Sequence, residues 1–154
     1  MFADWLDQKR ESPFKRKITM ADTFSREKRS EIMSLIRSKN TKPEIIVRKW
    51  LHRQGFRFCL HSKKLSGNPD IALPKYKTAI FVNGCFWHRH EGCKKATVPV
   101  SNANAWVRKF EATVSRDKKH IDFLEEAGWK VLTVWECEVA DGQFISKMDH
   151  ILSR

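Results

Sequence analysis

No stretch of this 154-residue sequence approaches the ~18–20 consecutive apolar residues that a membrane-spanning helix requires. Met1 to Met20 is polar and basic, with only scattered apolar residues, so a secretion signal is not expected there either. The setting expected is therefore the cytoplasm. Cysteine is scarce, at four residues. In a reducing compartment those thiols point to metal ligation or burial rather than to a disulfide frame. Acidic residues are outnumbered: 18 Asp and Glu against 30 Lys and Arg leave a net charge of +12. Such an excess resists compaction and attracts polyanions, which makes nucleic acid the first partner expected and a membrane surface a weaker one. A single tyrosine stands beside six tryptophans, most of which core packing accounts for. Repeats are absent, and the only biased segment is the basic patch Lys15-Arg16-Lys17.

What is present suits one domain with a core of its own. Hydrophobic residues make up 41% and charged residues 31%, ordinary proportions for a globular protein. Residues 1–20 show no sustained period and read as a flexible basic extension, with the domain running over 21–154. From Phe24 to Ser38, Ile32, Leu35 and Ile36 recur at helical spacing among basic residues, predicting a basic amphipathic helix. Thr41-Lys42-Pro43-Glu44 is a capping-box pattern, so a second helix starts there, with Ile46, Val47, Trp50 and Leu51 inward and Gly55 at its end. Three β-like runs follow: Arg57 to His61, Pro69 to Leu73 and Thr78 to Val82, with a turn through Pro74-Lys75-Tyr76. Trp106, Val107, Phe110 and Val114 trace a helix face, continued by Asp117 to Ala127 and stopped by Gly128. Trp129 to Trp135 is β-prone, and Gln143 to Leu152 reads as a last helix. Helices on either side of a short mixed sheet make an α/β sandwich.

Two groups of residues carry chemistry. Cys85-x4-His90-x2-Cys93, with Cys137 far downstream, offers three thiolates and an imidazole. That is a closed tetrahedral set of the kind zinc favours for a structural site, although free buried cysteines would show the same residues. His88 competes with His90 for the fourth position, and the chelate loops are short either way. The leftover Cys59 lies in a β-like run and reads as a core residue. In Asn68-Pro69-Asp70 a carboxylate heads a strand, where it can hold Mg²⁺ against a phosphate or simply cap the strand. The next strand, Thr78 to Asn83, lacks the Asp/Glu-x-Lys pattern common in restriction endonucleases, so a second ligand and a base must come from elsewhere.

The strings Lys28-Arg29-Ser30, Gly67-Asn68-Pro69-Asp70, Phe81-Val82-Asn83-Gly84-Cys85-Phe86-Trp87-His88, Arg116-Asp117 and Gly128 to Cys137 resemble the very short patch repair (Vsr) DNA mismatch endonucleases. The resemblance spans Ala21 to Asp141. It implies a restriction-endonuclease-like three-layer α/β sandwich with a central mixed sheet and a structural zinc site. It also implies Mg²⁺-dependent nicking of double-stranded DNA 5′ to the thymine of a T·G mismatch, the lesion left when 5-methylcytosine deaminates. By matched position, Asp70 and the backbone carbonyl of Val82 would bind magnesium, and His88 would be the general base or its close partner. Glu44 matches a carboxylate near the metal, a role compatible with capping its helix. Cys85, His90, Cys93 and Cys137 match the zinc ligands. Phe86, Trp87 and Trp106 match side chains that wedge between base pairs, where unstacking costs roughly a few kcal/mol per step and a mismatch lowers that cost. Met33 matches a residue entering from the minor-groove side, and Lys109 one that reads the mismatched pair. For all of these aromatics and for Met33, core packing is the alternative.

The sequence departs from the family pattern at three points. Glu91-Gly92 makes the spacing between the second and third zinc ligands one residue longer, and Asn83 and Arg89 replace histidines common around the motif. A monomeric, nucleoid-associated bacterial enzyme, working with repair proteins, is the expectation. Two other functions use the same surface: a restriction-like nuclease of another specificity, and a non-catalytic zinc DNA-binding module. The first cuts perfectly paired duplex as readily as T·G duplex, and the second is indifferent to loss of Asp70.

Overall fold

The computed structural model describes residues 24–152. The basic extension expected at 1–20 lies outside them. Four strands form one mixed sheet in the spatial order β1 (Cys59–Leu60), β2 (Ile71–Leu73), β3 (Thr78–Asn83) and β4 (Lys130–Trp135). β1 pairs with β2 and β2 with β3 antiparallel, through short connections, whereas β3 and β4 are parallel. A parallel pair needs a long crossover, and α3 (Ala103–Glu126) supplies it.

Strand register sorts the side chains. Ile71 pairs with Ile80 and Ile80 with Leu132, while Val82 pairs with Val134. Alternate residues share a face, so Ile71, Leu73, Ile80, Leu132 and Val134 present one apolar side. Val47 and Leu51 of α2 (Lys42–Arg53), Val139 of α4 (Glu136–Ala140), and Phe144 and Met148 of α5 (Phe144–Leu152) close over it to form the main core. On the other face Phe81 and Thr133 share a cavity wall with residues of α3, which packs along β4. The result is helices on both sides of a mixed sheet, three layers in all. α1 (Arg26–Leu35) precedes these layers, capped by Ser25, whose Oγ accepts from the Lys28 N–H at 3.2 Å. Among the described residues, no helix is long and apolar enough to cross a membrane.

Several expectations need correction. Ile46 is 44% exposed rather than inward. The inward stripe of α2 is Glu44, Val47 and Leu51, at helical spacings of three and four, and a residue one step away from Val47 is rotated off it. Leu35 and Ile36 are exposed too, since among the described residues no layer covers that side of α1. Cys59 is exposed instead of buried: β1 is a two-residue edge strand, shorter than the expected run. The short α4 was not anticipated, whereas the helix read from Trp106 through Ala127 is present as the 24-residue α3.

The two isoleucines test this layering. Ile80→Ala should lower unfolding free energy in urea by about 2–5 kcal/mol, as for a buried large-to-small change. Ile46→Ala should stay within about 0.5 kcal/mol. Similar losses at both positions would contradict the stripe.

Candidate active site and metal cluster

Both chemical groups grow from the loop that follows β3. The N–H groups of His88 and His90 donate to the carbonyls of Gly84 and Cys85, each at 3.1 Å, so the chain winds tightly through the motif. Arg89, between the two histidines, is left-handed with φ of 58°. The reversal sends His90 to the cysteines and His88 to the opposite side. His90 Nδ1 lies 3.2 Å from Cys137 Sγ and 3.6 Å from Cys85 Sγ. With Cys93, these four donor atoms all stand within 4.8 Å of one another. Trp135 stacks on the His90 ring, with centroids 4.3 Å apart and planes 8° from parallel.

Electrostatics inside this cluster set two of its thiols apart. Burial, together with the neighbouring thiols, pushes the Cys85 thiol up to about 12. For Cys93 burial acts upward as well, but the Lys95 backbone N–H and the two other thiols outweigh it and lower the value. Three thiols this close cannot all ionise unless a positive charge sits among them. Three soft sulfurs and one imidazole nitrogen can hold a metal ion in a closed set.

His88 turns the other way, and its Nδ1 is bonded to the carboxylate of Asp117 on α3. A carboxylate accepts, so Nδ1 carries a proton, and Nε2 is left outside this bond. Asp70, just before β2, accepts the Val82 N–H through Oδ2 at 2.8 Å. Burial raises its pKa; the Val82 N–H opposes that rise, the nearby Glu44 adds to it, and His61 and Arg48 oppose it more weakly. Glu44 is itself only 2% exposed. Its Oε1 accepts from the Thr41 N–H and hydroxyl, at 3.3 and 2.8 Å, which is the capping contact expected of it. Its Oε2 accepts from the Asn40 N–H at 3.0 Å and from Arg48 at 2.7 Å.

Met33, Glu44, Asp70, Val82, Trp87 and His88 line one cavity of about 970 Å³. Arg37, Lys39, Lys63 and Arg116 also border it, together with Asp117 and Glu136, so a hard carboxylate faces an opening lined by charges of both signs. Beside it the aromatic side chains gather. The Phe86 ring lies 5.1, 5.7 and 5.2 Å from those of Trp87, Trp106 and Phe110. Lys109 Nζ sits 5.0 Å above Trp87 and 5.4 Å above Trp106. Phe110 is buried, while Phe86, Trp87 and Trp106 remain partly exposed.

Three contributors escaped sequence reasoning. Asp117 carried a signal, being an acid in line with Trp106, Phe110 and Leu124 on an otherwise apolar helical stripe. His61 meets Glu44 and Asp70, with donor atoms within 4.8 Å, and Trp135 packs on His90; neither contact leaves a trace in local pattern.

A carboxylate and an oriented imidazole across one cavity are equipment suited to a phosphodiester hydrolase. Residues 21–95 match the family model described as DNA mismatch endonuclease Vsr. The chain is 48% identical over 120 residues to type II nicking enzyme V.NmeAIP of Neisseria meningitidis, covering 78% of this chain and 85% of that one. It is 44% identical over 134 residues to V.XorIIP of Xanthomonas oryzae pv. oryzae, covering 86% and 98%. The DNA mismatch endonuclease Vsr of Escherichia coli is 38% identical over 118 residues, covering 77% and 75%. The protein thus belongs to the Vsr family of DNA endonucleases, and that membership fits a nuclease fold.

Gly67, in the loop leading to Asp70, offers a test of how tightly this site is built. Its φ is +75°, and a Cβ there would lie 2.9 Å from His120 Cβ. Gly92 has a similar φ of +73° with nothing within 4 Å. Gly92→Ala should therefore cost only the left-handed penalty of about 1–2 kcal/mol. Gly67→Ala should exceed it by about 1–3 kcal/mol of overpacking in a denaturation experiment. Equal losses would mean that His120 yields freely.

Proposed function

We propose that this protein nicks duplex DNA 5′ to the thymine of a T·G mismatch, in a preferred sequence context, as a step in repair of deaminated 5-methylcytosine. The observation that carries the reading is that Asp70 and His88 line one cavity, beside a partly exposed aromatic cluster. Mismatch recognition is in the description of the matched family and in the name of the Escherichia coli relative. The type II nicking enzymes are named for nicking.

In this reading Asp70 and the Val82 carbonyl hold Mg²⁺. The residues fit such an ion: the Asp70 carboxylate is partly buried and under-compensated, which is the condition a hard cation relieves. When bound, Mg²⁺ polarises the scissile phosphate. His88 Nε2 takes the proton of a water that attacks phosphorus in line, and the 3′ oxygen departs. Asp117 keeps His88 in the competent tautomer and compensates the imidazolium that forms. Glu44 stands behind Asp70 as its neighbour in charge. Cys85, His90, Cys93 and Cys137 hold a structural Zn²⁺, a role that their soft donors and mutual proximity support. Phe86, Trp87 and Trp106 form the wedge that enters the base stack, Met33 approaches from the minor-groove side, and Lys109 contacts the mismatched pair. The fold is restriction-endonuclease-like, and the enzyme acts as a cytoplasmic monomer.

Strand-resolved nicking with Mg²⁺ on T·G duplexes in varied flanking sequence is the direct test. Cleavage of the thymine strand alone is expected, and equal cutting of paired duplex would replace this reading with a nuclease of another specificity. His88→Ala should lower the rate roughly 10²–10⁴-fold, with DNA binding retained. Retained nicking after Asp70→Ala would favour a binding module instead.

Melting experiments isolate the cation. The Asp70 pKa is raised in the fold, so its stabilising contribution is complete below the unfolded value and is lost as pH rises through the folded one. At neutral pH the charged carboxylate works against folding, and Asp70→Asn should melt higher than the unsubstituted protein without added Mg²⁺. Adding Mg²⁺ should raise the melting temperature of the unsubstituted protein and leave the Asp70→Asn variant unmoved. Elemental analysis should find about one zinc per chain, reduced in Cys93→Ser.

A further inference from the structure

Beside Asp70 lies a pair of side chains that the hydrolytic scheme leaves without a task. His61 follows β1 in a left-handed conformation, φ 46°, which is rare for a residue with a Cβ. Its backbone N–H donates to the Asp70 carbonyl at 3.2 Å, fixing the two residues together. Its ring bridges outward. Nδ1 is 3.8 Å from Asp70 Oδ1, while Nε2 is 3.0 Å from Arg48 Nη2 and 3.8 Å from Glu44 Oε2. Glu44, His61 and Asp70 are close enough to share a metal ion. The place between Glu44 and His61, however, is already filled by a cation. Arg48 Nη2 bonds Glu44 Oε2 at 2.7 Å, and Nη1 is held by Asn40 Oδ1 at 2.6 Å.

The identity of that cation decides the state of the imidazole. A guanidinium only donates hydrogen bonds and does not lose its proton. His61 Nε2 is then the acceptor in this arrangement, which places the ring proton on Nδ1. The Nδ1–H faces Asp70 Oδ1, the oxygen that Val82 does not engage. At 3.8 Å the contact is too long for a hydrogen bond, so it acts as a directed dipole on the carboxylate.

We propose that Arg48 and His61 form a positioning device for Asp70: the guanidinium locks His61 in its neutral Nδ1–H tautomer, and that N–H orients Oδ1. The proposal rests on reading Asp70 as the metal-binding carboxylate. His61 and Arg48 are positioning residues, acting through Asp70 and touching no reacting atom.

The deciding measurement is histidine nitrogen NMR on the full chain without added Mg²⁺, the His61 signals being assigned by their loss in His61→Asn. A protonated Nδ1 and an unprotonated Nε2 are expected, with the tautomers mixing in Arg48→Met. A protonated Nε2 at His61 overturns the proposal, and this readout is independent of any nicking. Kinetics on a T·G duplex supply the second arm. His61→Ala should lower kcat roughly 10–100-fold with KM for DNA unchanged, the range seen when a partner of a metal-binding residue is removed. His61→Asn, which returns an N–H close to the former Nδ1, should recover most of the rate, whereas His61→Gln should not. Equal losses in the alanine and asparagine variants, or a loss confined to KM, would also sink it. Absence of nicking by the unsubstituted protein would count against the proposed function, and the tautomer would still be decided by NMR.

Discussion

The parallel, in-register pairing of β3 with β4 is the constraint from which both chemical sites follow. Asn83 pairs with Trp135, so the chain leaves the two strands side by side at the same end of the sheet. Cys85 and Cys137 each stand two residues beyond that pair, and a downstream cysteine far away in sequence becomes a neighbour of the Gly84 loop. Parallel pairing also obliges the chain to cross over the sheet, and the crossover is α3. That helix carries Asp117 to His88 and sets Trp106 and Phe110 against Phe86. On its other edge β3 is antiparallel to β2, and this brings Asp70 within reach of the Val82 N–H. One strand thus organises the carboxylate, the imidazole and the thiols.

Two donor sets of opposite character lie on either side of a short loop. The sulfur-rich set offers soft donors in a closed arrangement, while Asp70 offers hard oxygen to an open cavity. What keeps them distinct is the left-handed Arg89, which separates two histidines only one residue apart in sequence. Backbone strain of this kind persists where surrounding contacts over-determine it. Here they do. Arg89 donates to the carbonyls of Thr97 and Ala96 at 2.8 and 2.7 Å, and its guanidinium lies 4.5 Å above the Phe110 ring. This side chain braces the Cys/His loop against the aromatic cluster.

Much of this was legible in residue types, because thiols, imidazoles and an acid at a strand head announce their chemistry without needing geometry. The helix from Thr41, the strand from Thr78 and the β-prone run to Trp135 followed from caps and from period. Failures came where tertiary contact overrides pattern. Ile46 is apolar and at a plausible spacing, yet Glu44 holds the inward position, because its carboxylate is satisfied by Asn40, Thr41 and Arg48. Cys59 was expected in the core because its run looked β-like, but β1 is a two-residue edge strand whose side chains are both exposed among the described residues. Which histidine joins the cysteines depended on the sign of a single φ angle, a quantity no residue pattern encodes. His61 was invisible for a related reason. Its partners come from a helix before it and a strand after it, and only folding brings them together.

The same connectivity links distortion of a ligand to chemistry. Phe86 and Trp87 immediately precede His88, and all three belong to the tight loop held by the Gly84 and Cys85 carbonyls. Any force that moves the exposed rings is transmitted to the imidazole through two peptide bonds. Asp117 resists that movement from α3, the helix that also carries Trp106. Ring contacts and the His88–Asp117 bond therefore close a loop of interactions between the β3 exit and α3. Under the proposed function, a substrate that accepts the aromatic wedge without displacing it would leave His88 aligned, whereas one that forces the rings apart would pull the base from its partner. Coupling of this form would let selectivity for deformable DNA appear in the rate as well as in binding.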